Sequence, residues 1–328
     1  MPCESVSCPA PRLDFVSPQA QRSLDGQELS HELALICRAS ALACSNYLHR
    51  ARTRVREADL KVDHHDPVTE FDRAVETALA TILGRFVPGS LMLGEEHGVQ
   101  LLAGSDTAVA EGITFPPVDA HVDARSLASR VRWVVDPIDG TSNFAAGDEY
   151  FGTSVAAQLD GTTVAAAIHI PCFSRTMWAN ATRGWLETPA GFFPLDSAGP
   201  TTESEATLYT YFPTARDLRK YGQTAFACFS QIVDAMRAVR RPGACALDLG
   251  RLACGHSGAV FATQVKPWDV AAGAHLVRVS GGRVWHSVPG EDEPFRSGGV
   301  GAGVLASARG VEVPSLEAVW DQLGLQRL

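Results

Sequence analysis

The sequence lacks three features that would each assign it to a particular class of protein. It has no run of about 18 apolar residues, which disfavours a membrane-spanning helix, and residues 1–14 lack the basic start and apolar stretch of a secretory signal. Lys and Arg number 28 against 37 Asp and Glu, and the resulting formal charge of −9 argues against a nucleic-acid polymer as partner. We therefore expect a cytoplasmic protein with neither a membrane nor a nucleic-acid partner.

Paired cysteines are also missing. The eight cysteines are scattered through the chain, and none forms the C-x-x-C pair typical of a zinc site. We expect them to be reduced thiols. Because the chain carries a net negative charge, an anionic substrate would have to be bound locally, and metal ions are one means of doing so.

The pattern of apolar residues predicts a mixed α/β chain in two lobes. Residues 1–27 contain several prolines and little periodicity, which predicts a loose N-terminal extension. Residues 28–200 predict an N-terminal α+β lobe and residues 201–328 a C-terminal α/β lobe. The predicted helices are 28–56, 70–86, 215–239, 246–254 and one from Trp268, and the predicted strands are 133–135, 153–159, 164–170, 206–211 and 258–263. Residues 101–129 have no clear period and predict an inserted loop or mobile flap.

One segment carries most of the chemical information. Residues 133–144 are Trp-Val-Val-Asp-Pro-Ile-Asp-Gly-Thr-Ser-Asn-Phe, so that Asp136 and Asp139 flank a Pro-Ile pair at the end of an apolar strand. Pro137 restricts the backbone so that both carboxylates can face one cavity, with the main-chain carbonyl of Ile138 between them. Such hard oxygen ligands are those that Mg²⁺ or Mn²⁺ prefers. A D-x-x-D-G pattern alone is equally compatible with two solvated aspartates at a turn.

The residues that follow predict an anion site. Gly140 and Thr141 are expected to open a short helix, whose first main-chain N–H groups suit a phosphate. We expect Gly140, Thr141 and Ser142 to contribute to phosphate binding. A metal site and a phosphate site would then be adjacent in the sequence.

The longer string resembles the signature W-[IV]-[IV]-D-P-[IL]-D-G-T-x-N-F of the inositol monophosphatase family. Other motifs of that family occur in the family's order over roughly residues 30–310. Residues 94–96 are similar to its G-E-E motif and residues 66–72 to its D-x-V-T-x-x-D stretch. Residues 241–249 are similar to its R-x-x-G-[ST]-A-A-L-x-L segment and residues 267–273 to its P-W-D-x-A-A-G motif. Taken singly, these acids could also be a solvated loop, a helix start and a helix cap.

The resemblance implies a fold, a reaction and a set of site residues. The fold would be the five-layer α-β-α-β-α sandwich of the inositol monophosphatase and fructose bisphosphatase type, in a homodimer. The reaction would be hydrolysis of a small phosphate monoester by a water molecule activated by two or three Mg²⁺ ions, with Mn²⁺ as an alternative, and lithium would inhibit it. The implied metal ligands are Glu95, Asp136, the Ile138 carbonyl, Asp139 and Asp269. Asp72, Glu95 and Thr141 would act in catalysis, with Asp72 and Thr141 orienting the water. Gly140, Thr141, Ser142, Gly243 and Ala244 would contact the substrate.

Two departures from the family pattern leave the substrate open. Many inositol phosphatases carry a glutamate seven residues before the last metal aspartate, where it contacts a substrate hydroxyl, and here that position is Ala262. Residues 145–150 also replace the usual H-G-L-P. A cyclitol phosphate, a sugar phosphate or bisphosphate, a 3′-phosphorylated nucleotide and histidinol phosphate all remain candidate substrates. A non-catalytic binding or regulatory protein with the same fold is the alternative of another class.

Overall fold

A computed structural model describes residues 18–54, 59–60, 67–104, 109–114, 117–118, 127–286 and 303–325. Residues 1–17 of the predicted extension, Asp66 of the second motif and about half of the predicted insertion lie outside these ranges. Where residues 102–118 are described, they contain turns and irregular backbone only, as predicted for a loop. No helix in the described part of the chain has the length and apolar character needed to cross a membrane.

The helices are α1 Pro18–Ala43, α2 Ser45–Ala51, α3 Glu70–Phe86, α4 Thr141–Ala145, α5 Ala215–Tyr221, α6 Gln223–Ala235, α7 Cys245–Ala253, α8 Pro267–Val279 and α9 Pro314–Gln322. The strands are β1 Asp59–Leu60, β2 Pro67–Val68, β3 Leu91–Gly94, β4 Gly98–Leu101, β5 Val131–Asp139, β6 Gly152–Leu159, β7 Thr162–Ile170, β8 Arg175–Ala179, β9 Gly184–Thr188, β10 Gly191–Pro194, β11 Thr207–Thr210, β12 Ala238–Arg240, β13 Ala259–Thr263, β14 Arg283–His286 and β15 Gly303–Ser307.

Two sheets organise these elements into layers. The larger sheet has the order β10-β9-β8-β7-β6-β5-β3-β4 and is antiparallel except where β3 and β5 run parallel. The smaller sheet has the order β12-β11-β13-β15-β14, with β11 parallel to both of its neighbours. Helices α1 and α3 cover one face of the larger sheet, and α8 packs on its other face. Helices α7 and α8 also contact the smaller sheet, and α5, α6 and α9 form the outer helical layer. The α-β-α-β-α sandwich predicted from the motifs is confirmed.

The apolar core follows this layering because each sheet is buried on both faces. One buried cluster lies between α1, α3 and the larger sheet, and includes Trp133 and Phe144. The second lies on both sides of the smaller sheet, and includes Leu247, Phe261 and Trp320. Strand β5 contributes to both clusters, since Val135 faces the first and Val134 the second. The strand that carries the aspartate pair is therefore held firmly from two sides.

Several predicted elements are confirmed and two were wrong in extent. Helix α3 and the β6–β7 hairpin lie where predicted, and Asp160 and Gly161 supply the two positive φ angles that a tight hairpin turn requires. Helix α1 begins at Pro18, before the predicted start near Glu28, and a break at Cys44 separates it from α2. The helix predicted over 215–239 is two helices and a strand. Gly222, at φ 55° and ψ −128°, ends α5 and turns the chain into α6.

Candidate active site

The predicted metal-binding acids meet because two parallel strands end side by side. Strand β3 pairs with β5 in parallel, with Gly94 opposite Val135, so Glu95 and Asp136 follow the same edge of the sheet. In β5 the pairing with β6 shifts register between Asp136 and Asp139, so the strand is irregular at the Pro-Ile pair, as in a β-bulge. A bulge redirects side chains near a sheet edge. Both aspartates are thereby buried, with Asp136 2% and Asp139 6% exposed.

Asp136 stands in an environment that disfavours its charge. Its Oδ1 atom is buried and forms no hydrogen bond. Burial raises the pKa of Asp136 well above its usual range, and the negative charges of Glu95, Asp139, Asp269 and Asp72 raise it further. A buried carboxylate oxygen without a partner is costly unless a cation or proton balances it.

Asp139 is held by the layer on the other side of the cleft. Its Oδ2 accepts a hydrogen bond from the main-chain N–H of Leu247, at 2.9 Å, in the first turn of α7. Burial nevertheless raises its pKa to about 8, and the nearby charges of Asp248 and Glu95 act in the same direction. The Leu247 bond links the end of β5, in the larger sheet, to α7.

Asp72 and Thr141 form the pair expected to orient a water molecule. The Thr141 hydroxyl oxygen lies 3.1 Å from Asp72 Oδ1 and 2.9 Å from the carbonyl oxygen of Ile138. The other Asp72 oxygen accepts hydrogen bonds from the main-chain N–H and the hydroxyl of Thr69, at 2.7 and 2.5 Å, in a capping box that starts α3. The single Thr141 hydroxyl proton can serve Asp72 or Ile138 but not both. When it is donated to Asp72, the Thr141 oxygen can accept a bond from water.

Asp269 enters the site from the third layer. It lies in the first turn of α8, where its Oδ2 accepts the main-chain N–H of Lys266 at 2.7 Å. The negative charge of Asp269 contributes to the raised pKa of Asp136, so the two carboxylates are electrostatic neighbours. The sequence motif alone also allowed a plain helix cap at Asp269. In the structure, Asp269 both caps α8 and lines the cleft.

The carboxylate and carbonyl oxygens at this site suit a hard cation, although the side chains by themselves do not surround one. Within the described residues, no group of three or more His, Cys, Asp or Glu side chains could hold a metal ion by itself. The acids are nevertheless close enough to raise one another's pKa values, and Asp136 Oδ1 lacks a partner. Carboxylate and carbonyl oxygens are the ligands of Mg²⁺ and Mn²⁺. These residues therefore fit the cofactor that the motifs imply.

A buried glutamate that the sequence reasoning missed shapes the loop carrying Glu95. Glu76 on α3 is fully buried and accepts the main-chain N–H groups of Glu96 and His97, at 2.7 and 2.8 Å. A Cβ atom at Gly94 would come within 2.3 Å of the Glu76 carboxyl, so a larger residue there would displace this hydrogen-bonded side chain. The signal for Glu76 was its place four residues after Asp72, on the same face of α3.

The substrate side of the site is an open cleft of about 500 Å³. Asp139, Ser142, Gly243 and Asp269 are among the residues that line it. The predicted contact residue Ala244 is 1% exposed and is not among the lining residues, because its side chain packs in the core cluster beneath α7. The Ala244 side chain also packs closely against Gly140: a Cβ atom added at Gly140 would lie 3.1 Å from the Ala244 Cβ, and the φ angle of +87° at Gly140 favours glycine as well.

Asn143, part of the signature string, fixes the shape of this cleft. Its side-chain amide donates to the carbonyl oxygens of Tyr150 and Pro242, both at 2.8 Å. These bonds join α4 to the loop before β6 and to the loop before α7. The asparagine is therefore a structural clamp between segments about a hundred residues apart in the sequence.

Other polar residues at the site were not singled out by the sequence reasoning. The Tyr150 hydroxyl donates to Asp248 Oδ1 at 2.7 Å, and Asp248 is buried beside Asp139 with a pKa raised to about 7, chiefly by that burial. The guanidinium of Arg251 lies over the Tyr150 and Tyr209 rings. Tyr211, Thr214, Arg216 and Gln264 also line the cleft. Arg216 lies in the first turn of α5 and the other three lie in loops, and none carries a local signature, so only the fold could reveal them.

Comparisons with known proteins identify the family of the chain. The family model described as "Inositol monophosphatase family" matches residues 28–321. The "Inositol-1-monophosphatase SuhB" of Mycobacterium tuberculosis is 35% identical over 263 residues, covering 80% of this chain and 80% of that protein. The "Nus factor SuhB" of Pseudomonas aeruginosa is 30% identical over 249 residues, covering 76% of this chain and 81% of that protein.

The fold comparison points the same way. The solved structure of Mycobacterium tuberculosis SuhB has a TM-score of 0.66 and 27% identity, covering 90% of this chain and 98% of that chain. The family model covers most of the chain, and relatives named inositol-1-monophosphatase match it over most of their length. The chain therefore belongs to the inositol monophosphatase family and is a phosphoric monoester hydrolase of that type.

Proposed function

We propose that this protein hydrolyses a small cyclitol, sugar or related phosphate monoester with the help of Mg²⁺, by direct attack of water. The observation that carries the proposal is the buried carboxylate cluster beside an open cleft, in which Asp136 Oδ1 has no hydrogen-bond partner. Inositol monophosphatases are generally metal-dependent. Two or three Mg²⁺ ions, or Mn²⁺ in their place, would be held by Glu95, Asp136, the Ile138 carbonyl, Asp139 and Asp269.

Bound divalent ions would supply positive charge to the phosphoryl oxygens and lower the pKa of water. The remaining roles fall to the chain itself. Thr141 donates its hydroxyl proton to Asp72 and accepts a hydrogen bond from the attacking water, which aligns that water with the phosphorus atom. The main-chain N–H groups of Gly140, Thr141 and Ser142 hold the phosphate. The water oxygen forms the new P–O bond, the ester P–O bond breaks, and the released alcohol takes up a proton.

Phosphate release from a panel of inositol, sugar, histidinol and 3′-nucleotide phosphates tests the proposal. We expect one compound or one class to be cleaved in the presence of Mg²⁺, with little release in a chelator. Asp139→Asn should lower the rate by at least about a thousandfold, since it removes one charged metal ligand. Asp234→Asn, an exposed aspartate on α6, is the matched control and should keep the wild-type rate. Full activity in Asp139→Asn would refute the assignment of the site.

Three further properties rest on the family resemblance and the composition, and belong to the same proposal. They are a homodimeric assembly, inhibition by lithium and a cytoplasmic location. Light scattering and rate measurements with added LiCl test the first two. A histidinol-phosphate or 3′-phosphonucleotide phosphatase is the alternative within the same chemistry.

A binding role is a second candidate function. One relative at 30% identity is named a Nus factor and not a phosphatase. That name supports a regulatory role as the second candidate. A purely regulatory protein would be silent across the substrate panel with Mg²⁺. Its function in cells would survive Asp139→Asn, whereas that of an enzyme would not.

A further inference from the structure

The cleft beside the carboxylate cluster also contains two arginines. Asp139 and Asp269 line it, and so do Arg216, in the first turn of α5, and Arg241, in the loop before α7. The proposed metal site accounts for the acids, which would face the phosphate that is cleaved. It assigns no role to the arginines. A guanidinium group is well suited to bind phosphate or carboxylate oxygens.

The wall that carries Arg216 is rigid. The neighbouring Asp217 is fully buried and accepts the main-chain N–H and the hydroxyl of Thr214, both at 2.7 Å. Its two oxygens also lie 2.8 Å from the hydroxyl of Thr263, at the end of β13. These bonds fasten the start of α5 to the smaller sheet. Arg216 is thus presented to the cleft from a fixed backbone, which lowers the entropy cost of binding a ligand.

Arg241 is held in place without being neutralised. Its Nη2 atom donates to the carbonyl oxygens of Tyr211 and Pro213, at 2.7 and 3.0 Å. These acceptors are uncharged, and Arg241 pairs with no carboxylate in the described part of the chain. Two of its guanidinium contacts therefore fix its position and leave its positive charge available to a ligand.

Position 262, level with Tyr211 of the cleft, is a buried alanine and not an acid. Strand β11 runs parallel to β13 with Thr210 opposite Phe261, so Tyr211 comes level with Ala262. Ala262 stands where many inositol phosphatases carry a glutamate, and Tyr211 lines the cleft beside it. An alanine and a tyrosine at this place do not repel an anion as a glutamate would.

We propose that Arg216 and Arg241 bind a second anionic group of the substrate, a phosphate or a carboxylate, while the scissile phosphate lies at Asp139 and Asp269. This inference rests on the proposed phosphatase function and narrows its substrate class. The preferred substrate carries a negative charge besides the phosphate that is removed. Neutral cyclitol and sugar monophosphates are poorer substrates than their anionic counterparts.

Two matched pairs of compounds test the proposal and separate the two kinds of anion. Glucose 1,6-bisphosphate is compared with glucose 1-phosphate, and 3-phosphoglycerate with glycerol 3-phosphate, in kcat/KM with Mg²⁺. In each pair the two compounds differ chiefly in one anionic group. We expect the compound with the extra anion to be favoured about tenfold or more in at least one pair. The pair that shows the larger preference identifies the anion as a phosphate or a carboxylate.

Substitutions then assign the preference to the arginines. Arg241→Met and Arg216→Met should each reduce the preference about tenfold, mainly through KM, and change kcat/KM for the plain monophosphate less than twofold. Arg241→Lys should restore part of the preference. Arg219→Met, which removes an exposed arginine of the same helix α5 outside the cleft, should leave it unchanged. Absence of any preference in the wild type, or an equal loss for both members of a pair in the variants, would overturn the proposal.

Binding measurements keep this test separate from that of the phosphatase function. If the wild type releases no phosphate from any compound, the phosphatase proposal fails, and calorimetric titration with the same four compounds still measures the preference for a second anion. Tighter binding of the compound with the extra anion, lost in Arg241→Met, supports the arginine site. Equal affinities within each pair would overturn it.

Discussion

Replacing Asp139 by asparagine should stabilise the metal-free protein at neutral pH while it abolishes activity. Burial of Asp139 raises its pKa from 3.8 to about 8, so the folded protein keeps a proton that the unfolded chain has released at pH 7. A carboxyl group with a raised pKa stabilises the fold fully only below its unfolded pKa, and this contribution is lost as the pH rises toward the folded pKa. Without metal, the wild type should therefore lose stability between about pH 4 and pH 8.

The size of the effect follows from the separation of the two pKa values. At about 1.36 kcal/mol per pH unit, the cost is about 4 kcal/mol at pH 7 and between about 1 and 2 kcal/mol at pH 5. Asparagine does not bear this cost, and its amide oxygen can still accept the Leu247 N–H that Asp139 accepts at 2.9 Å. A chain of 328 residues has an unfolding entropy of about 0.7 kcal/mol per kelvin. The variant should then melt about 6 °C above the wild type at pH 7, and about 2 °C above it at pH 5.

Differential scanning calorimetry in EDTA at these two pH values measures the difference, and a second series contains Mg²⁺. Magnesium at a hundred times its dissociation constant should add about 2.7 kcal/mol, or about 4 °C, to the wild type and much less to Asp139→Asn. Asp234→Asn is again the control for loss of one negative charge. A variant that melts at or below the wild-type temperature in EDTA at pH 7 would refute the reasoning, because its carboxyl would then carry no burial cost.

Two other predictions concern residues around the metal ligands. Thr141→Val should lower kcat about a hundredfold, whereas Thr141→Ser, which keeps the hydroxyl near Asp72, should stay within about fivefold of the wild type. Initial rates at saturating Mg²⁺ measure both variants. Equal losses of kcat would show that the methyl group matters instead of the hydroxyl. Glu76→Gln should raise the Mg²⁺ concentration needed for half-maximal rate about tenfold, because an acceptor of two main-chain N–H groups after Glu95 is weakened. The exposed Glu312→Gln is the control and should leave that concentration unchanged. An unchanged concentration in Glu76→Gln would contradict the prediction, because the loop around Glu95 would then hold its shape without Glu76.

Local sequence signals predicted some of these elements well and others badly. Helix α3 was found from its apolar spacing because Leu79, Ile82 and Leu83 lie on one buried face. The helix predicted over 215–239 failed because the apolar spacing continues across Gly222, and a single backbone conformation there turns the chain. Periodicity reports which face of an element is buried. It does not report where a glycine changes the direction of the chain.

The sequence by itself determined the family, the layered fold and the set of acids to examine, because each motif is a short local pattern in which a strand or helix end delivers a carboxylate. Only the tertiary structure decided what surrounds those acids. It showed that Asp136 Oδ1 has no partner, that Glu76 shapes the loop of Glu95, and that Arg216 and Arg241 line the cleft. These facts depend on contacts between segments distant in the chain. Burial, charge and hydrogen bonding are set by such contacts, and no local pattern records them.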